Sequence, residues 1–141
     1  ERSAGEGAAG PPPAKIHERL MLLVDSPIWV DHIRRSDNDL VWHLESEMVL
    51  VHPFVVGEIA LGQMKNLELF LARLNRLPKA VVASSMEVLA LIQNRDLSGS
   101  GIGYVDAHLV ASCLLMSDVR LWTRDKRLKA VAQRLSVAAD L

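Results

Sequence analysis

Short apolar runs separated by amphipathic stretches recur along this chain, and that alternation most restricts its fold. Leu22-Leu23-Val24, Met48-Val49-Leu50-Val51, Ala80-Val81-Val82-Ala83 and Val119-Arg120-Leu121-Trp122-Thr123 each have the length and make-up of a strand. The stretches between them carry helical signals. Pro27 suits the first turn of a helix reaching about Arg34, and Asp37 to Glu47 has a second helical period. Pro53 opens a helix through Ile59, and Leu67, Leu71 and Leu74 share one face of a helix over 66–76. Ser85 is the expected cap of a helix to Asn94, Val105 to Met116 reads as a buried helix, and Lys126 to Leu135 as a basic amphipathic one. Val137-Ala138 suits an edge strand, and 98–103 is a Gly-rich loop. Strand–helix alternation of this kind predicts an α/β domain with a short, mostly parallel sheet.

A chain of 141 residues suits one domain, and a hydrophobic fraction of 50% suffices for a sizeable core. The formal net charge is -1, from 16 basic and 17 acidic residues, so binding of a nucleic acid must rest on local patches. The single cysteine, Cys113, excludes a disulfide framework within the chain and argues against a thiolate zinc site. A reducing cytoplasm is the natural compartment. No apolar run is long enough to span a bilayer, and the first 20 residues lack the apolar segment of a signal peptide. Residues 1–20, rich in Gly, Ala and Pro with the run Pro11-Pro12-Pro13, are expected to be a flexible leader or an artificial remnant. The folded domain is expected over 21–141, with Met21 as the natural start.

Four acids stand where a half-apolar chain should avoid charge. Asp25 closes the first run, Glu58 lies among Val55, Val56, Ile59 and Leu61, Asp106 begins an apolar helix, and Asp125 follows the last strand. In open parallel sheets, ligands bind beyond the carboxyl ends of the strands. Asp25 and Asp125 fall at such ends, and helices bearing Asp106 and Glu58 can reach the same crevice. Crowded carboxylates repel one another, so some take up protons unless a cation compensates. Oxygen donors without a Cys or His chelating pair favour Mg²⁺ or Mn²⁺ over zinc. Such an ion polarises a phosphodiester and generates hydroxide from bound water, which makes phosphodiester hydrolysis the expected chemistry. Each acid also has an ordinary reading. Asp25 suits a turn or a helix cap, Asp106 complements a helix dipole, Glu58 could face solvent, and Asp125 could pair with neighbouring cations. Their joint placement favours the metal site.

The basic residues Arg124, Lys126, Arg127, Lys129 and Arg134 could hold RNA phosphates, and Arg124 and Arg127 are favoured because they flank Asp125. His108 follows Asp106 by two positions and so points elsewhere on a helix, while His32, His43 and His52 are expected to be structural or exposed. Gly101-Ile102-Gly103 does not open a nucleotide fingerprint and reads as a turn before the Asp106 helix. Trp29, Trp42 and Trp122 read as packing residues, and helices around Ile28 and Leu67 could form a groove for an amphipathic segment.

The run LLVDSPIWVDHIR (Leu22 to Arg34) resembles the opening strand and helix of VapC-type PIN domains. PFVVGEIALG (Pro53 to Gly62), GIGYVDAHLVASCLL (Gly101 to Leu115) and LWTRDKRL (Leu121 to Leu128) resemble the second, third and fourth acidic motifs of that family, in the right order. The resemblance implies a three-layer α/β/α PIN fold, Asp25, Glu58, Asp106 and Asp125 as ligands of Mg²⁺ or Mn²⁺, and Ser26 and Thr123 as polar supports. It further implies an endoribonuclease that is the toxin of a toxin–antitoxin pair, with RNA, a cognate antitoxin and a second copy as partners. Pro27 departs from the small polar residue frequent at that place and supplies no N–H. Two rival readings remain: a degenerate PIN domain serving as an RNA-binding scaffold, and a HAD-like phosphatase with Asp25 as nucleophile. The phosphatase is disfavoured by Pro27 in place of its second acid and by the lack of an evident catalytic lysine.

Overall fold

The computed structural model describes residues 20–141, so the expected leader lies outside the described residues, apart from Leu20. Three parallel strands form the sheet in the order β2-β1-β3, with β1 Met21–Val24, β2 Val49–Leu50 and β3 Val119–Trp122. β1 is central. It pairs in register with β3 from Met21↔Val119 to Val24↔Trp122, and with β2 at Leu22↔Val49 and Leu23↔Leu50. Leu22, Leu23 and Val24 are buried, as a strand with helices over both faces requires.

Seven helices surround this sheet among the described residues: α1 Ser26–Arg34, α2 Asn38–Glu45, α3 Pro53–Ala60, α4 Leu67–Leu74, α5 Ser85–Asn94, α6 Tyr104–Leu115 and α7 Lys126–Arg134. The arrangement is the three-layer α/β/α one. Helix α1 packs on α3, α3 on α4, α5 on α6, and α6 and α7 on β3. Seven consecutive residues of α6, Ala107 to Cys113, are buried, so apolar character all round that helix reflects a place in the core. By contrast α7 buries only Leu128, Val131 and Ala132 and keeps its cations outward. Cys113 is free and buried in this core, where desolvation pushes its thiol up to about 12 and leaves it unreactive at neutral pH.

Two expectations need correction. Ala80 to Ala83 is not a strand; only a single parallel bridge joins Lys79 to Val51, with Ala80 N–H donating to Val51 O at 2.9 Å. The ladder stops there because β2 runs straight into α3 at Pro53, leaving nothing alongside for residues 81–83 to pair with. Val81 instead receives the Ser112 hydroxyl on its carbonyl at 2.6 Å and donates its N–H toward the Met116 sulfur at 3.3 Å, both partners belonging to α6 or its C-terminal end. The cap of α5 is Ser84 rather than Ser85. Its Oγ accepts from Glu87 N–H at 3.0 Å while Glu87 Oε1 accepts from Ser84 N–H at 2.8 Å. Val137 and Ala138 form the expected edge in reduced form, one bridge to Leu121.

Candidate active site

The carboxyl ends of β1 and β3 lie side by side, and a relay of polar side chains ties them together. Asp25 follows β1 directly and caps α1, its Oδ1 accepting Ser26 N–H at 2.9 Å. Thr123 follows β3, and its hydroxyl donates to Asp25 Oδ2 at 2.7 Å in a buried contact between residues 98 apart in sequence. The same hydroxyl oxygen accepts Asp125 N–H at 3.1 Å. Asp125 in turn caps α7, its Oδ1 accepting Leu128 N–H at 3.0 Å. Both oxygens of Asp25 are therefore occupied, which lets a carboxylate only 4% exposed remain in the core.

The other two acids approach from helices. Asp106 stands at the third position of α6, with Oδ2 accepting Gly103 N–H at 3.1 Å. Glu58, exposed on α3, accepts the Ser26 hydroxyl on Oε1 at 2.9 Å. Burial raises the Asp25 carboxyl above its ordinary range; bonds from Thr123 and Ser26 oppose this, and the charges of Asp106 and Glu58 add to it. Asp106 is raised by burial too, opposed by Gly103 and reinforced by the charge of Asp125. The four acids thus act on one another electrostatically, Asp25 with Asp106 and Glu58, and Asp106 with Asp125.

The ordinary roles weighed for Asp25 and Asp106, satisfying backbone N–H groups at a helix start, are also present, and Glu58 does face solvent; Asp125 makes no ion pair with its neighbouring cations among the described residues and caps a helix instead. Among the described residues no three His, Cys, Asp or Glu side chains form a ready coordination shell. What fits a hard cation is the donor chemistry. Asp106 Oδ1, Asp125 Oδ2 and Glu58 Oε2 take no hydrogen bond among the described residues, Asp25 keeps a second lone pair on each oxygen, and two hydroxyls complete an oxygen-only set. Pro27 does not disturb this corner. It occupies the first turn of α1, where its missing N–H would have had no helical partner, and the Ser26 contacts are intact.

The basic residues part ways. Arg124 donates to Asp31 Oδ2 at 2.8 Å and to Asp37 Oδ2 at 2.5 Å, and its guanidinium lies 5.9 Å from the centre of the Trp122 ring system. The guanidinium is the largest reason that the Asp37 carboxyl lies below its usual range. Asp37 reads in the sequence only as the start of a helix and Asp31 as part of one, and nothing local points 93 residues from Asp31, or 87 from Asp37, to Arg124. Lys129 reaches the Leu141 carbonyl and Arg134 the Arg95 carbonyl. Arg127 makes no hydrogen bond or ion pair among the described residues and lies against Gly101.

His52 and His108 are both buried rather than exposed, and they meet, with ring centres 6.3 Å apart. His52 Nδ1 accepts Phe54 N–H at 3.0 Å and so caps α3; its Nε2 and the Nδ1 of His108 have no hydrogen-bond partner among the described residues. Burial, and secondarily the neighbouring His108, push His52 down to about 4. Trp29 and Trp122 are core residues as expected, whereas Trp42 is 59% exposed on α2. Cavities of about 270 Å³ beside Lys129 and Gln133, and of about 380 Å³ between α5 and α6, lie away from the acids.

The PIN domain family model matches residues 22–134. "Ribonuclease VapC32" of Mycobacterium tuberculosis, from strain CDC 1551 / Oshkosh and from strain ATCC 25618 / H37Rv, is 43% identical over 118 residues. The aligned stretch covers 84% of this chain and 95% of each relative.

Proposed function

From the premise that the chain belongs to the PIN-domain family, as a VapC-type member, we propose that it is a divalent-metal-dependent endoribonuclease serving as the toxin of a toxin–antitoxin pair. The observation that supports this reading is the Thr123–Asp25 bond joining two adjacent strand ends, with the charges of Asp106 and Glu58 acting on Asp25 and that of Asp125 on Asp106. Family membership removes the phosphatase alternative, and the presence of all four acids speaks against a degenerate scaffold.

Asp25, Glu58 and Asp106 hold the ion in this reading, and Asp125 holds a second one or orients the attacking water. Mg²⁺ or Mn²⁺ supplies Lewis acidity toward the scissile phosphodiester and acidifies bound water. Everything else is work for the chain. Thr123 fixes the Asp25 carboxylate by donating to Oδ2, so that Asp25 presents its remaining lone pairs in one direction. Ser26 does the same for Glu58. Asp125 Oδ2, free of hydrogen bonds among the described residues, is the atom that orients the attacking water in this reading.

RNA is the substrate, and a cognate antitoxin and a second copy of the chain are the protein partners. Exposed apolar side chains such as Trp42 and Leu61 offer such partners contact area. A cytoplasmic place accords with the free, unreactive Cys113. No helix among the described residues is long and apolar enough to cross a membrane. The deciding experiment incubates the protein with mixed RNA in Mg²⁺, Mn²⁺ or EDTA, beside Asp106→Asn. Cleavage that needs the ion and vanishes in the variant upholds the proposal. RNA binding without cleavage under every condition turns the reading to the scaffold alternative. Growth arrest on expression, relieved by Asp25→Ala, tests the toxin role.

A further inference from the structure

Five cations stand on or beside α7, and the structure sorts them by what already occupies them. Arg124 is held by two carboxylates, Lys129 and Arg134 by backbone carbonyls, and Lys126 and Arg127 are without hydrogen bond or ion pair among the described residues. Of the last two, Arg127 has a seat. A Cβ built on Gly101 would fall 2.7 Å from Arg127 Cδ, 3.0 Å from Nη1 and 3.2 Å from Nε, so the guanidinium side of Arg127 rests where any other residue would put a side chain. Gly101 also has φ +87°, a backbone conformation that L side chains rarely adopt.

This contact spans the two halves of the acid cluster. Arg127 is two residues beyond Asp125, and Gly101 two residues before Gly103, whose N–H bonds Asp106. A guanidinium offers five N–H donors and no acceptor, and it matches a phosphate bidentately. Arg124 is already neutralised by its carboxylates and offers a polyanion far less. An arginine held in place before binding loses less rotamer freedom on gripping a phosphate than Lys126 would.

Resting on the ribonuclease reading, we infer that Arg127 is the residue that grips an RNA backbone phosphate beside the acids, and that Gly101 is the positioning residue that seats it. One charged fork at the rim of the carboxylates offsets their repulsion of the RNA and fixes where the backbone crosses them.

The test measures binding of a dye-labelled single-stranded RNA by anisotropy in EDTA, from about 50 to 200 mM salt, with cleavage in Mg²⁺ or Mn²⁺ assayed alongside. Arg127→Gln is expected to weaken binding roughly tenfold and to lower the slope of log affinity against log salt by about 0.7, the share of one phosphate on a single strand. Gly101→Ala is expected to match both losses, and the double variant to lose no more than Arg127→Gln. Gly99→Ala is the internal control. Gly99 has φ +78° but nothing among the described residues within 4 Å of its built Cβ, so it carries the same backbone strain without touching Arg127. It is expected to bind RNA as the unaltered protein does. A Gly99→Ala loss equal to that of Gly101→Ala, additive losses in the double variant, or an unchanged salt slope in Arg127→Gln each overturn the inference while leaving the ribonuclease reading intact. An unaltered protein that neither binds nor cleaves RNA overturns both.

Discussion

Two corners of this molecule bury polar side chains, and they do so on different terms. At the carboxyl edge of the sheet, Asp25, Thr123 and Asp125 form a relay in which each contact satisfies a donor, and Asp25 remains in the core because both its oxygens are engaged. Where α3 meets α6, His52 and His108 face one another with one buried nitrogen each unpartnered among the described residues, wrapped by Phe54 and Tyr104. A charged group tolerates burial when hydrogen bonds replace its water; an imidazole tolerates it by remaining neutral. The first corner keeps a charge by satisfying it, and the second keeps its rings neutral.

Substitutions can break or sharpen that contrast. The largest effect is expected from Asp106→Asn, with RNA cleavage falling at least about 100-fold. Its stability effect runs the other way. A carboxyl raised by burial contributes stability that is present below the ordinary carboxylate range and lost as pH rises through the raised value, so at pH 7 the ionised group costs stability. The amide keeps the bond from Gly103 without the charge, and the Tm without divalent ions should rise. A fall in Tm with retained cleavage would contradict both statements.

The imidazole corner should fail in acid. His52 is depressed from 6.5 to about 4, so its contribution is intact above about pH 6.5 and disappears as pH falls toward 4. That shift corresponds to a loss on the order of 3 kcal/mol. In His52→Asn the amide oxygen can still cap α3 but takes no proton, and urea midpoints at pH 7 and pH 4 should lie closer together than in the unaltered protein. Equal acid sensitivity would assign the effect elsewhere.

Thr123→Val should cost about 2 kcal/mol in denaturant unfolding, because it strands Asp25 Oδ2 and the Asp125 N–H, while Thr123→Ser restores the relay. If valine and serine are equally stable, the relay does not support the buried acid. Smallest is Ser84→Ala, outside the four acids and the two imidazoles, which removes one cap bond at about 1 kcal/mol and should leave RNA cleavage unaltered.

The sequence made β1 and β3 legible because their runs are mostly apolar, and it singled out Asp25 and Asp125 because they follow those runs. It misled at Ala80 to Ala83, whose composition is that of a strand. Whether such a run pairs depends on how far its neighbour extends, and β2 ends at Leu50, three residues before α3 begins at Pro53. The bonding of Arg124 to Asp31 and Asp37 was equally out of reach, since ion pairs between distant residues leave no periodicity. His52 and His108, 56 positions apart, were read singly, and their meeting is a product of how α3 and α6 pack. Gly101 read as a turn, which its φ bears out, but its contact with Arg127 belongs to tertiary structure.

The one-residue bridges flanking the sheet have a consequence for how copies of this chain encounter each other. Val51 exchanges hydrogen bonds with Pro78 and Ala80 along one border, and Leu121 with Val137 and Ala139 along the other. Those backbone amides, which would otherwise template an incoming strand, are already taken on both sides. Intermolecular zippering through strand edges, the usual route from a small parallel sheet to fibrous aggregates, finds little to start from here.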